Sequence, residues 1–158
     1  MGKEHHYALK LRWTGNRGSG TSHYRDYDRN HVISAVGKPD LVGSADPAFL
    51  GNPARWNPEE LLLASIAACH KLWYLHLCTT KGIVVTAYED SPTGTMIEKP
   101  NGAGQFSEVV LHPVVTISEG DLSLAEDLHH QVGDFCFIAR SVNFPIRHTA
   151  VLHRAVSL

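Results

Sequence analysis

An α+β domain is the fold class this sequence predicts. Three observations carry it: short alternating or extended runs near the N-terminus, one long uninterrupted apolar helix in the middle, and further strand-like runs around two short helices. Leu9, Leu11 and Trp13 alternate with Lys10, Arg12 and Thr14, the period of a half-buried strand. Gly15-Asn16-Arg17-Gly18-Ser19-Gly20 reads as a turn, and extended runs follow from Thr21 to Tyr27 and from His31 to Val36. The N-terminal third therefore predicts a small antiparallel meander. Gly43 to Trp56, with two prolines, two glycines and no sustained period, predicts a covering loop.

Asn57 is placed to cap a helix whose first residue is Pro58 and whose third is Glu60, and helix-forming residues continue to about Thr80. Leu61 to Leu77 is apolar on nearly every face, broken only by Ser65, His70, Lys71 and His76, which predicts burial on most sides. Gly82 to Tyr88 reads as a strand, Ser91-Pro92-Thr93-Gly94 and Asn101-Gly102 as turns. Phe106 to Ile117 reads as an extended run whose Pro113 calls for an edge position or a bulge. Ala125, Leu128 and Val132 share one face of a helix from about Leu122 to Val132 that Gly133 ends. A second short helix is expected from Asp134, and a final strand within Ile146 to Val156. At 158 residues with 43% apolar content, the chain is sized for a single domain over 1–158.

The 14 basic and 16 acidic residues leave a formal charge of -2, which argues against a nucleic-acid partner or an acidic membrane surface and for a small or neutral ligand. No apolar run approaches the ~20 residues needed to span a bilayer, and the polar start from Met1 to His6 lacks a signal-peptide apolar region, so a cytoplasmic location is the expectation. No glycine-rich loop joins a strand to a helix with phosphate-binding spacing, and no cofactor is implied.

Three cysteines are an odd number for a reducing compartment, where reactive thiols are commoner than structural disulfides. Cys78 follows Cys69 by nine residues, half a turn out of phase and ~13 Å along the helix axis, so the two cannot pair and Cys78 reads as structural. Cys136 comes two residues after Asp134, a candidate N-cap. That would set its sulfur in a first helical turn, where the macrodipole favours a thiolate that also leaves easily. Packing among Phe135, Phe137 and Ile138 is the bland alternative.

Cys69, in mid-helix, gains nothing from a helix end, and an ordinary thiol is only a few per cent ionised at neutral pH. It needs a cation. An arginine 4 Å away supplies on the order of 4 kcal/mol at an effective dielectric near 20. Arg17, Arg25, Arg29 and Arg55 are the candidates, with Glu59 as a carboxylate to orient the guanidinium or simply to complement the helix dipole. Along a continuous helix Glu59 is ten residues, ~15 Å and roughly 80° from Cys69, so a kink must intervene or a second chain must complete the site.

The run Asn57-Pro58-Glu59-Glu60-Leu61-Leu62-Leu63-Ala64-Ser65-Ile66-Ala67-Ala68-Cys69 resembles the signature of the OsmC/Ohr family, in which Asn-Pro-Glu precedes a peroxidatic cysteine. Arg17-Gly18-Ser19-Gly20-Thr21 after Trp13 is similar to that family's arginine turn, and Cys136-Phe137-Ile138-Ala139-Arg140-Ser141 to its second-cysteine helix. The resemblance implies an intertwined α+β homodimer with antiparallel sheets, a long buried central helix and sites at the subunit interface. It implies reduction of organic hydroperoxides, and of hydrogen peroxide in some members, through a sulfenic acid and a disulfide that a dithiol such as a lipoyl group restores. By position Cys69 is peroxidatic, Cys136 resolving, Glu59 orienting and Arg17 the stabilising cation. Many relatives carry a His three residues before the second cysteine, where this chain has Gly133, and His70, Trp73 and Tyr74 after Cys69 imply a bulky pocket wall.

Rival readings are a metal-binding module, prompted by 11 histidines including His5-His6, His129-His130 and the Cys69-His70 pair, and a Cys/His hydrolase with His70 or His76 as base. Adjacent histidines chelate poorly in a helix, His70 turns 100° away from Cys69, and His76 is two turns on. A ligand-binding dimer of the same fold that has lost rapid turnover is the remaining alternative.

Overall fold

A computed structural model describes residues 2–157, which divide into two units, one ending at Leu61 and the other beginning at Leu62. In the first unit β1 (Lys10–Trp13), β2 (His31–Ser34) and β3 (Leu41–Gly43) form an antiparallel sheet in that order, with Leu11 opposite Ile33 and Ile33 opposite Leu41. The meander is there, but its third strand is Leu41–Gly43. Thr21 to Tyr27 is not extended: the Asn16 side chain accepts from the N–H groups of Gly18 (2.8 Å) and Gly20 (3.0 Å) just before it, and within it the Asp26 N–H donates to the His23 carbonyl at 3.0 Å in a turn. Both glycines hold positive φ, 120° and 60°, which a side chain would resist. The half-buried strand expected at Leu9 to Trp13 is instead open to solvent, with Leu11 58% and Trp13 41% exposed.

The long helix α1 (Pro58–Thr80) starts as the sequence predicts. Asn57 Oδ1 accepts from the Glu60 N–H at 2.8 Å, and Glu60 Oε2 accepts from the Asn57 N–H at 3.1 Å, a reciprocal capping box that satisfies two otherwise orphaned donors. Its burial departs from expectation. Only the stripe Ile66, His70, Tyr74 and Cys78 is fully buried, and Leu72 is 61% exposed. The spacing of four residues keeps that stripe on one side, and the chain covers no other side as completely. By length and composition α1 would suffice to cross a membrane, contrary to the sequence reading.

The second unit holds two three-stranded sheets. One has the order β4 (Val84–Asp90), β7 (Pro113–Glu119), β9 (Val151–Arg154), and the other β5 (Thr93–Glu98), β6 (Gly104–Leu111), β8 (Ile146–His148). Phe106 to Ile117 is thus two strands in different sheets. Pro113 opens the middle strand β7, where its missing N–H is tolerated as a first residue, rather than lying on an edge or bulge. The sheets are mixed, not wholly antiparallel, because β8 runs parallel to β6 and β9 parallel to β7.

Asp121 caps α2 (Leu122–Gln131) by accepting from the Leu124 N–H at 2.7 Å. The core gathers Tyr74 and Cys78 of α1, Ile83, Val115 and Ile117 of the β4–β7–β9 side, Ala125 and Leu128 of α2, then Val132 and Cys136. A second cluster joins Ile66 to Phe106, Val109 and Leu111. Replacing Asn57 by Ala removes one half of the capping box and should lower stability by about 1 kcal/mol, read as a lower urea midpoint with an unchanged slope.

Candidate active site

Cys69 and Cys136, 67 positions apart in sequence, meet in the second unit: the Cys69 thiol lies close enough to raise the pKa of Cys136, and Cys69 packs against the cluster that contains it. Cys69 is half-buried and Cys136 is buried. All three cysteines are free thiols. Cys78 sits in the core beside Tyr74, and burial pushes its thiol above the ordinary range, as befits a structural cysteine.

The helix expected from Asp134 does not form. Two 3₁₀ turns, Val132–Asp134 and Ala139–Ser141, flank Cys136, so the sulfur does not sit in the first turn of an α-helix. Burial pushes its thiol up to about 11, the Cys69 thiol adds to the rise, and the Ala139 N–H, donating to Sγ at 3.4 Å, offsets only part of it. Cys136 is therefore a protonated thiol at neutral pH, the reverse of the low-pKa leaving group that the sequence suggested.

Cys69 opens on an aromatic cleft of about 380 Å³ lined by Leu72, Trp73, His76 and Phe137. Trp73 stacks on Phe135 with centroids 5.2 Å apart and meets Phe137 edge-on at 5.8 Å, which fixes a broad apolar wall beside the sulfur. Of the three residues expected to form that wall, only Trp73 does. Tyr74 is in the core, donating to the Ala125 carbonyl at 2.9 Å, and His70 turns to the other side of α1. His76, set aside on sequence spacing, does line the cleft, edge-on to Trp73.

The arginines and Glu59 belong to the first unit. Arg17 pairs with Asp28 (Nε to Oδ1, 3.7 Å) and donates to the Arg25 carbonyl, in an exposed setting where such a pair adds little stability. Arg29 is clasped between the rings of Tyr24 and Tyr27, at 4.4 and 4.0 Å, and donates to both their carbonyls. Arg55 donates to the His31 carbonyl at 3.4 Å. Glu59 has a buried Oε2 without a hydrogen-bond partner among the described residues, a carboxylate oxygen short of a donor. Both Glu59 and Cys69 lie within the helical span of α1.

Behind the thiol pair lies a cavity of about 280 Å³ that the sequence did not foretell. Cys136, His70, His129, His130 and His148 line it, over an apolar floor that includes Ile66 and Phe144. His70 Nε2 and His129 Nδ1 are 2.9 Å apart in a hydrogen bond, and the His129 ring stacks on Tyr74 at 3.8 Å. Burial drops His70 to about 4, with His148 adding to the shift. It drops His129 to about 3, with His70, His148 and His130 adding. Gly133 also lines the cavity, and no atom lies within 4 Å of where its Cβ would be. Among the described residues, no three or more His, Cys, Asp or Glu side chains are arranged to hold a metal ion.

A family model described as OsmC-like protein matches residues 51–150. Among solved structures, an OsmC-like protein of unknown function from Vibrio cholerae superposes with a TM-score of 0.82 at 25% identity, over 94% of this chain and 100% of that one. An OsmC-like protein from Mycoplasma pneumoniae gives 0.72 at 16% identity, over 96% and 99% of the two chains. An organic hydroperoxide resistance protein OsmC from Legionella pneumophila gives 0.66 at 17%, over 95% and 99%; these last two likenesses speak for the fold alone. A search of curated protein sequences finds no match.

The buried histidine pair sets a pH dependence. Both folded pKa values, about 4 and about 3, lie below the ordinary 6.5, so the unfolded chain takes up protons first. The stability that neutral imidazoles contribute is full above pH 6.5 and is lost as pH falls toward the folded values. At pH 5 the loss is about 2 kcal/mol for each histidine. Urea unfolding at pH 7.5 and pH 5 should show it, and His129→Gln should show a smaller difference between the two.

Proposed function

The chain belongs to the OsmC-like protein family, and we propose that within it this protein is a thiol peroxidase that reduces organic hydroperoxides through Cys69 and Cys136. The observation that supports this reading most is the pairing of the two thiols at the foot of an aromatic cleft. The Cys69 thiolate attacks the O–O bond of the hydroperoxide, becoming a sulfenic acid as the alkoxide leaves and takes a proton. Cys136 then attacks the sulfenic sulfur, water departs, and a Cys69–Cys136 disulfide forms. A dithiol of lipoyl type exchanges with that disulfide and restores both thiols. The cleft around Trp73, Leu72 and Phe137 suits an alkyl or aryl group on the peroxide, the substrate class that the name of the Legionella fold-relative also suggests. Hydrogen peroxide fills less of it.

The same reading gives Arg17 and Glu59 to a site completed by a second subunit. A homodimer is supported by the exposed apolar side chains of β1, by Leu72 on α1, and by the donor that Glu59 lacks. Three free thiols suit a reducing cytoplasm. A ligand-binding dimer of the same fold with slow turnover is the second reading, favoured by the high pKa of Cys136.

Peroxide consumption with cumene hydroperoxide and a lipoyl reductant separates the two. Cys69→Ser should abolish turnover, and Cys136→Ser should stop after one equivalent of peroxide per chain. Full activity in Cys69→Ser would sink the peroxidase, whereas a wild type that binds cumyl alcohol but consumes no peroxide would establish the binding protein. Gel filtration should give twice the mass of one chain.

A further inference from the structure

We propose that His148 accepts the proton of Cys136 when that thiol attacks its partner sulfur, and passes it by way of His130 to a surface cleft at Glu126. The proposal deepens the peroxidase reading and rests on the thiol pair of that reading.

Cys136 and His148 line the same cavity. His148 and His130 also line a second cleft, with Glu126, Thr149 and Ala150. Half-buried His148 and exposed His130 thus each line both the cavity that holds Cys136 and the cleft at the exposed Glu126. Its ring centroid lies 5.9 Å from that of His70 on α1, and 5.7 and 4.7 Å from those of His129 and His130 on α2. Two of the four histidines are already committed: His70 and His129 are tied to each other through Nε2 and Nδ1, and the remaining His129 nitrogen is sealed from solvent.

The titratable groups around His148 are the rings of His70, His129 and His130, with Cys136 on the wall of one shared cleft and Glu126 on the other. On its own strand Arg147 is turned to Glu108 of β6, with Nε and Oε2 3.4 Å apart. Burial and then the neighbouring His130 lower the His148 pKa, so its imidazole is neutral and able to take a proton at pH 7. Cys136, by contrast, holds its proton until a base removes it.

The step balances without an outside reagent. The Cys136 S–H bond breaks, its proton goes to His148, and the sulfur pair forms the S–S bond. The S–O bond of Cys69 breaks, and the departing hydroxide takes up one proton from solvent, equal to the one delivered at the Glu126 cleft, and leaves as water.

An assay that uses no peroxide isolates the step. The aromatic disulfide reagent DTNB is added in one equivalent, making a mixed disulfide at Cys69 and releasing one thionitrobenzoate. Attack by Cys136 releases the second, followed by absorbance. In wild type the second release should be fast and level from pH 7 to 9, whereas in His148→Gln it should be roughly 100-fold slower at pH 7 and rise about tenfold per pH unit toward the wild-type rate. Equal slowing at every pH would mark a packing role and overturn the proposal. So would a wild-type rate that climbs with hydroxide through this range without a plateau, a measurement that needs no variant. Because peroxide is absent, a protein that shows the plateau but never consumes hydroperoxide would refute the peroxidase and leave the proton acceptor standing.

Discussion

A 23-residue helix that is apolar nearly all round hands only one line of residues to a fully buried interior, and that constraint organises the second unit. Ile66, His70, Tyr74 and Cys78 occupy the line. Ile66 reaches the cluster around Val109 and Leu111, while Tyr74 and Cys78 reach the cluster around Val115, Ile117 and Leu128. One stripe thereby ties both sheets and α2 to one helix. Cys69, a residue before the stripe, is left half-buried at its margin, with an aromatic cleft on its outer side and Cys136 inward.

A polar residue in that stripe needs a reason, and His70 has one. Its ring is the price of a hydrogen bond that reaches 59 residues along the chain to His129, which Tyr74, one turn on, supports from its face. A neutral imidazole pair satisfies two ring nitrogens without introducing charge, so the interior carries the pair while water is excluded. The same exclusion of water keeps Cys136 protonated, so the environment that stabilises the fold also slows the second thiol. That tension between burial and reactivity is what a base at the cavity wall relieves.

How much of this was legible in the sequence follows from the range of each interaction. The α1 start was legible to the residue because Asn57, Pro58 and Glu60 act on their own backbone neighbours. Helical phase separated Cys69 from Cys78, and the meeting of Cys69 with Cys136 came from resemblance alone, since no local rule links them. β5, with Thr93, Gly94 and Thr95 exposed on a hairpin arm, carries no hydrophobic alternation, and the sequence reading reaches only its first two residues, as part of a turn. At Cys136 a local rule misled: Asp134 looks like an N-cap, but it lies within a 3₁₀ turn that ends before the sulfur. The histidine cavity draws on α1, α2 and β8, and no sequence window holds all three. Glu59 was placed in the helix correctly, yet the donor its carboxylate lacks is a matter between elements.

The parallel pairings have a further consequence, for which changes of chain length the fold can accept. Val109 lies opposite Ile146 and Val114 opposite Val151, the same sequence interval in both sheets. His112 alone joins β6 to β7, and Thr149-Ala150 alone joins β8 to β9, so two short links step between the sheets side by side. Adding or removing one residue in either link would slide a strand by one position and turn its inward side chains outward. The segment from Gly120 to Phe144, which closes the loop between the two pairs, is not bound by that register. Natural insertions and deletions should therefore gather there, around the 3₁₀ turns that hold Cys136, and be nearly absent at His112 and Thr149. The spacing around the second thiol is free to drift while the strands that frame its cavity stay fixed.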